Sequence, residues 1–301
     1  MNPILAIPAT LMLLAALGIV ARSAHRFEHT TLVTSWRWAA AALAACSATW
    51  ILDGLFQSLS PEWGRLLWLV SAILLLCPAI SVLGARRPGV RVWNWFVLFP
   101  LAAVLGWPAL TIWRSGGGPG LLQLEGPALI GFVLATVMGV GNYLGTRYRA
   151  AALLVALAES CWLLTLTSFD LARAADPWML RLAGVAGLAT AVFIANRAAA
   201  RDPRFPPGLD RLWSDFRDTF GIVWAQRVQE RINARAAEQG WRVRLDAGRI
   251  EWEPGVSPSI KQETAAELEQ ALRWLLRRFV DEAWIESRID GRDSNPHQPA
   301  P

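Results

Sequence analysis

Glu159 stands alone in the run LLVALAESCWLLTL, Leu153 to Leu166, and it poses the one chemical question the sequence raises sharply. A carboxyl in such a stretch is either a proton or ion site or a polar group tying helices together, because leaving it unserved in an apolar interior is expensive. At helical spacing Ala152, Ala156 and Glu159 share a face, and small residues let a neighbouring backbone come close. The preceding apolar run, joined by the short turn Arg147-Tyr148-Arg149, carries its own small stripe of Gly131, Ala135 and Gly139, continuing to Asn142. Counted from that turn, Thr136 lies level with Glu159 at a depth of about 14 Å. Asn142 lies one to two turns closer to the turn, and Trp162, at i+3, is a further candidate donor. No arginine or lysine reaches that depth, so the expected resting form of Glu159 is the neutral acid donating a hydrogen bond. A structural hydrogen bond is the preferred expectation, with proton handling as the alternative.

The remaining chemistry-bearing residues are few. Asp53, the other acid inside an apolar run, falls near the end of its run, where it can snorkel to an interface. His25 and His29 are four apart and could share a helical face, but two ligands without a third make a poor metal site. Cys46, Cys77 and Cys161 show no CxxC spacing and read as small buried hydrophobes. No apolar run contains a histidine for haem ligation. The one lysine, Lys261, lies in the C-terminal region, so no Schiff-base lysine is available in the bundle. GxxxxGK[ST], GxSxG and HExxH are all missing, so no cofactor, metal or familiar catalytic machinery is expected.

The elements that must position Glu159 are long apolar segments. Apolar residues make up 54% of the 301-residue chain and concentrate before Asn196. A run of about 18 or more apolar residues reads as a membrane-spanning helix. Seven such runs occur: 3–21, 38–56, 66–83, 92–113, 127–146, 150–169 and 178–196. The second is weakened by Asp53 and the seventh by its alanine and glycine content. The first lacks the positive leading residues of a secretory signal and is followed at once by Arg22 and Arg26, the reverse of a signal's order. Pro78, Pro100 and Gly106 to Pro108 mark possible helix breaks. The expected fold is an all-α polytopic membrane bundle of about seven helices over residues 1–196, followed by a small cytoplasmic α+β domain.

Arginine placement orients the bundle. With the N-terminus outside, eleven arginines flank the spans on the inner side (residues 22, 26, 37, 86, 87, 91, 147, 149, 197, 201 and 204) against four outside (65, 114, 173 and 181). The positive-inside rule then places the C-terminal region in the cytoplasm of a cell-membrane protein. From Arg197 onward 17 basic and 17 acidic residues cancel, so the net charge of +5 lies in the apolar part. A nucleic-acid partner needs a concentrated basic face, and none is present. Trp36, Trp38, Trp63, Trp93, Trp95, Trp113 and Trp178 fall near span ends, where amphipathic rings favour the headgroup zone of a lipid bilayer.

Residues 197–208 form a proline-containing linker. Leu209 to Ile232 then repeat apolar residues at spacings of three and four, which predicts one helix of about thirty residues stopped by Gly240, with Gly221 a possible bend. WRVRLDAGRIEWE alternates as a β-hairpin with Trp241, Val243, Leu245, Ile250 and Trp252 on one face, and Arg242, Arg244 and Arg249 among acids on the other. Ser259 and Gln262 suggest a capping box for a second helix carrying Leu268, Leu272, Leu275, Phe279 and Ala283. The domain is thus an α-β-β-α unit over 209–286, with a disordered end over 287–301. Two amphipathic helices bring more apolar surface than a short hairpin covers. The expected function is therefore a non-enzymatic membrane scaffold or assembly factor, self-associating or binding a protein partner through this domain. A small-solute or proton-coupled transporter using Glu159 is the alternative.

Overall fold

The computed structural model describes residues 3–55, 60–87, 92, 94–114, 122–124, 126–169 and 176–291. Among these the chain is mostly helical, with a single two-stranded sheet. It divides into two compact units. The first comprises residues 1–27, 32–84 and 89–200; the second comprises 28–31, 85–88 and 201–301.

The first unit contains α1 (Pro3–Arg22), α2 (Val33–Thr49), α3 (Pro61–Leu83), α4 (Phe99–Arg114), α5 (Gly126–Gly141), α6 (Arg149–Leu164) and α7 (Pro177–Ala199). Each of the seven apolar runs falls on one of these helices, apart from its ends. Three helical stretches, Leu5–Phe27, Pro61–Leu83 and Pro177–Ala199, are long and apolar enough to cross a membrane. The others are shorter for local reasons. The fifth run stops at Gly141 because Asn142 to Thr146 turn back, with Tyr143, Leu144 and Thr146 donating to carbonyls three residues earlier. The sixth stops at Leu164, where the hydroxyls of Thr165 and Thr167 bond carbonyls of the last turn and compete with helix continuation.

The suspected breaks lie elsewhere than sequence suggests. α3 runs unbroken through Pro78 and α4 through Pro108, while Pro100 occupies the first turn of α4, where a missing N–H costs nothing. The irregular backbone is instead at Trp50–Leu55, where α2 widens into a π-helical turn, and at Asn94–Leu98 before α4. A π turn re-aims the side chains that follow it and is frequent at functional sites. α2 packs chiefly on α3, α6 on α7, and α1 against α7 and α2. Trp50, Trp68 and Trp162 are fully buried at the centre, with Trp68 5.2 Å from Trp162 and 6.5 Å from Trp50 between ring centroids. Of the tryptophans expected near span ends, Trp63 and Trp95 are exposed, and Trp93 lies outside the described residues.

The second unit contains α8 (Leu209–Phe220), α9 (Ile222–Gln239), β1 (Val243–Leu245), β2 (Ile250–Trp252), α10 (Pro258–Leu276) and α11 (Glu282–Ile289). The single long helix expected after the linker is two helices. Gly221 adopts φ 81°, which only glycine tolerates cheaply, and both ends α8 and starts α9. The capping residue of α10 is Ser257 instead of Ser259: its hydroxyl accepts from the Ile260 N–H, and Pro258 takes the first helical position. Ser287 to Ile289, expected to be disordered, continue α11, while residues 292–301 lie outside the described residues.

The hairpin pairs Val243 with Trp252 and Leu245 with Ile250. A two-stranded hairpin leaves two open edges, and side chains of the helices close both. The Asn233 carboxamide accepts from the Leu245 N–H and donates to the Leu245 carbonyl, at 2.8 and 3.0 Å. Asp210 accepts from the Ile250 N–H at 2.7 Å. On the outer face Arg242 pairs with Glu253 and Arg249 with Glu251. Beneath the hairpin Trp213, Phe216, Phe220, Trp224 and Phe279 form an aromatic core.

Two strips from the loops after α1 and α3 complete this unit. Thr30 bridges Val280 antiparallel, flanked by Thr31 N–H to the Phe279 carbonyl and Asp281 N–H to the His29 carbonyl. Arg87 donates its N–H to the Arg278 carbonyl and pairs with Asp281 at 2.8 Å. With these strips in place, most of the apolar supply of α8 to α11 is buried, and the large apolar residues left exposed are Ile222, Ile260 and Trp274 among the described residues.

Glu282 fixes the turn between α10 and α11. Partial burial works against its ionisation, but hydrogen bonds from Arg277 and Arg273 prevail and hold the carboxyl below its ordinary range. A depressed carboxyl contributes stability above its unfolded pKa and loses it as pH falls through the folded one. Glu282→Gln is expected to cost under about 1 kcal/mol at neutral pH, since the pair is partly solvated. The loss should vanish under acid, as read by denaturant midpoints at two pH values.

Candidate functional site

Glu159 is 1% exposed, on the face of α6 that also carries Ala151, Ala158 and Trp162. Ala152 and Ala156 are only half-buried, so the close approach occurs one side of the stripe read from spacing. The partner also differs. α6 packs mainly on α7, whose Gly184 and Gly187 face Trp162 and Ala158; a Cβ on Gly184 would sit 2.2 Å from the Trp162 indole nitrogen. The small stripe of α5 serves other neighbours, Gly131 meeting Leu105 of α4 and Gly139 meeting Ala79 of α3.

The donors expected for Glu159 bond elsewhere. Thr136 gives its hydroxyl to the Phe132 carbonyl of its own helix, and Trp162 donates to the Arg181 carbonyl at 3.3 Å. Asn142 is buried in the turn after α5 and donates its backbone N–H to Met138. Both carboxyl oxygens of Glu159 are enclosed and make no hydrogen bond among the described residues. The buried cysteines of α2 and α3 are Cys46 and Cys77, and Ser71 of α3 is fully buried. The Ser71 hydroxyl is in turn 3.0 Å from that of Thr49.

A second polar centre surrounds Asp53. The π turn carries this residue inward, away from the interface expected for it, leaving its side chain 16% exposed. Arg181 of α7 pairs with Oδ2 at 2.5 Å, and the Trp68 indole donates to the same oxygen at 2.7 Å. Arg181 also lies over the Trp68 ring, 5.6 Å from its centroid. Gly64 makes room for the carboxylate, since a Cβ there would approach Oδ1 to 2.6 Å. Arg65, one residue on, donates to the Leu122 carbonyl. Arg181 was missed as a partner because it reads as an ordinary loop-side arginine, separated from Asp53 by 128 residues.

His25 bonds the Arg22 carbonyl in the turn after α1, whereas His29 faces Asp281 in the second unit. The three cysteines are free, Cys46 and Cys77 buried. No protein-family model matches the chain, and neither does any curated protein or solved structure. Among the described residues of the bundle, the two buried acids, one paired and one bare, are the chemistry it offers.

Proposed function

We propose that the protein is an integral membrane protein of seven spans, with its N-terminus outside and its C-terminal unit in the cytoplasm, and that its bundle handles a proton at Glu159. The arginine distribution supports the orientation. So does the composition of the second unit, because the strips after α1 and α3 and the C-terminal region must share one side of the membrane to fold together. Arg181, counted on the sparse side, pairs with Asp53 inside the bundle, which widens the asymmetry. The shorter helices cover roughly 24 Å each, a mismatch that local thinning of a bilayer accommodates.

The observation that carries the proton reading is the bare carboxyl of Glu159. A helix-tying acid spends its oxygens on a neighbour, and these are spent on none. Among the described residues no cation pairs with the group, and an uncompensated charge in an apolar interior is costly, so loss of its proton requires water or a cation to arrive. The test is proton entry into vesicles holding the purified full chain and a trapped pH dye, driven by a potassium diffusion potential. Protein-dependent entry should fall to the level of empty vesicles in Glu159→Gln, and in the native chain treated with a hydrophobic carbodiimide. Equal flux in native and Glu159→Gln protein of unchanged gel-filtration profile would refute the reading.

A second reading, a non-enzymatic scaffold or assembly factor, is favoured by the weaving of two loops into the C-terminal unit and by exposed Trp274. Its motive is smaller than the apolar content suggests, since the unit buries most of its own stripes. Self-association of the full chain that survives Glu159→Gln, together with no proton flux, would make it the better account.

A further inference from the structure

The hairpin turn of the second unit, Asp246 to Arg249, needs support from outside, because two short strands are marginal by themselves. α8 supplies most of it. The Trp213 indole donates to the Asp246 carbonyl at 2.8 Å, and the Arg217 guanidinium donates to the Ala247 carbonyl. Within the turn the Asp246 N–H reaches the Arg249 carbonyl at 3.0 Å. The backbone N–H groups of Ala247 and Gly248 donate to nothing among the described residues.

A second guanidinium reaches the same turn from the linker. A Cβ built on Gly248 would stand 3.0 Å from Nη1 of Arg217 and 3.5 Å from Nη1 of Arg204. The two nitrogens are therefore no further apart than 3.0 + 3.5 = 6.5 Å. Arg204 is exposed, lies over the ring of its neighbour Phe205, and forms no ion pair among the described residues. Of the acids on or against the turn, Asp210 accepts from the Ile250 N–H, Glu251 pairs with Arg249, and Asp246 is exposed. Like charges this close repel, and an anion between them reverses the sign of the interaction. A phosphate group suits the spacing, since two of its oxygens can each accept a charge-assisted bond of about 2.8 Å. Glycine at 248 keeps open the space beside both guanidiniums, which any side chain there would enter.

We propose that Arg204, Arg217 and the turn at Gly248 form a binding site for a phosphate group. Its source is either a phospholipid headgroup or a soluble phosphate ester. Arg204 follows the last residue of α7 by five positions, a reach of about 17 Å, so on the seven-span reading a headgroup is available to it. The site itself does not depend on that reading, nor on Glu159. The test uses the purified full chain in an uncharged detergent. Inorganic phosphate is titrated in and its binding read from the shift in thermal unfolding. Phosphatidylglycerol is added in a parallel series, and the lipid retained is counted by native mass spectrometry. Arg204→Gln should weaken binding about tenfold, the loss of one charge-assisted contact. Arg244→Gln removes the same charge from an exposed position on β1 and should leave binding at the native level. Arg204-dependent binding of phosphate alone would make a soluble ester the ligand, and Arg204-dependent retention of the lipid would make it a headgroup. Binding of neither, or equal losses in Arg204→Gln and Arg244→Gln, would overturn the site. A chain that fails to insert into bilayers would refute the seven-span reading and leave the phosphate series unchanged.

Discussion

Arg181→Met should lower the unfolding free energy of the purified protein by about 3 kcal/mol, among the largest losses available from one side chain in the bundle. The substitution leaves Asp53 enclosed with only the Trp68 indole to serve it, and an uncompensated buried charge costs far more than a lost contact. The low end of the expected range applies because both partners keep some access to solvent, 19% for Arg181 and 16% for Asp53. Asp53→Asn should restore much of the loss when added to Arg181→Met, since it removes the orphaned charge and keeps an acceptor for Trp68. Denaturant midpoints for the two single variants and the double form the cycle. Additive losses would mean that Asp53 and Arg181 do not act as a pair.

Gly184→Ala should cost about 1–3 kcal/mol, the range for forcing a methyl into a filled core. The Trp162 indole nitrogen stands 2.2 Å from where the new Cβ must go, and Trp162 is fully buried with no room to retreat. Gly187, one turn along the same face of α7, provides the contrast. A Cβ there meets Ala158 at 3.6 Å, an ordinary contact, so Gly187→Ala should be neutral or stabilising by a few tenths of a kcal/mol. Trp162→Leu combined with Gly184→Ala should cost less than the sum of the separate changes. Equal effects at positions 184 and 187 would show that helix propensity, not the indole, governs this contact.

The outline of the bundle was legible because apolar runs of helical length admit few other structures. Gly221 was legible as a bend for the same kind of reason, a residue whose backbone freedom has a local use. The ends of α5 and α6 were not, since Asn142 to Thr146 and Thr165 terminate helices through hydrogen bonds that composition alone does not rank. Pairing was the least legible level. The small residues of α5 and α6 do allow close approach, but toward α3, α4 and α7, and nothing in periodicity says which neighbour a stripe will meet. Asp53 and Arg181 show the same limit. Each looked like an interfacial charge, and only the π turn at Trp50–Leu55 and the gap at Gly64 bring them together.

The bridge between Thr30 and Val280 bears on the order in which the chain matures. Its two halves lie about 250 residues apart in sequence, so the contact closes a very large loop and belongs among the slow steps of folding. During synthesis the strips at residues 28–31 and 85–88 emerge early and wait for their C-terminal partners until the segment around Phe279 has been made. A chain cut short before that segment would keep every apolar helix and still leave both strips without their partners. An early stop codon or a clipped end would therefore be felt at loops near the opposite terminus. A fragment of the C-terminal region made alone would lack two of the pieces from which its fold is assembled.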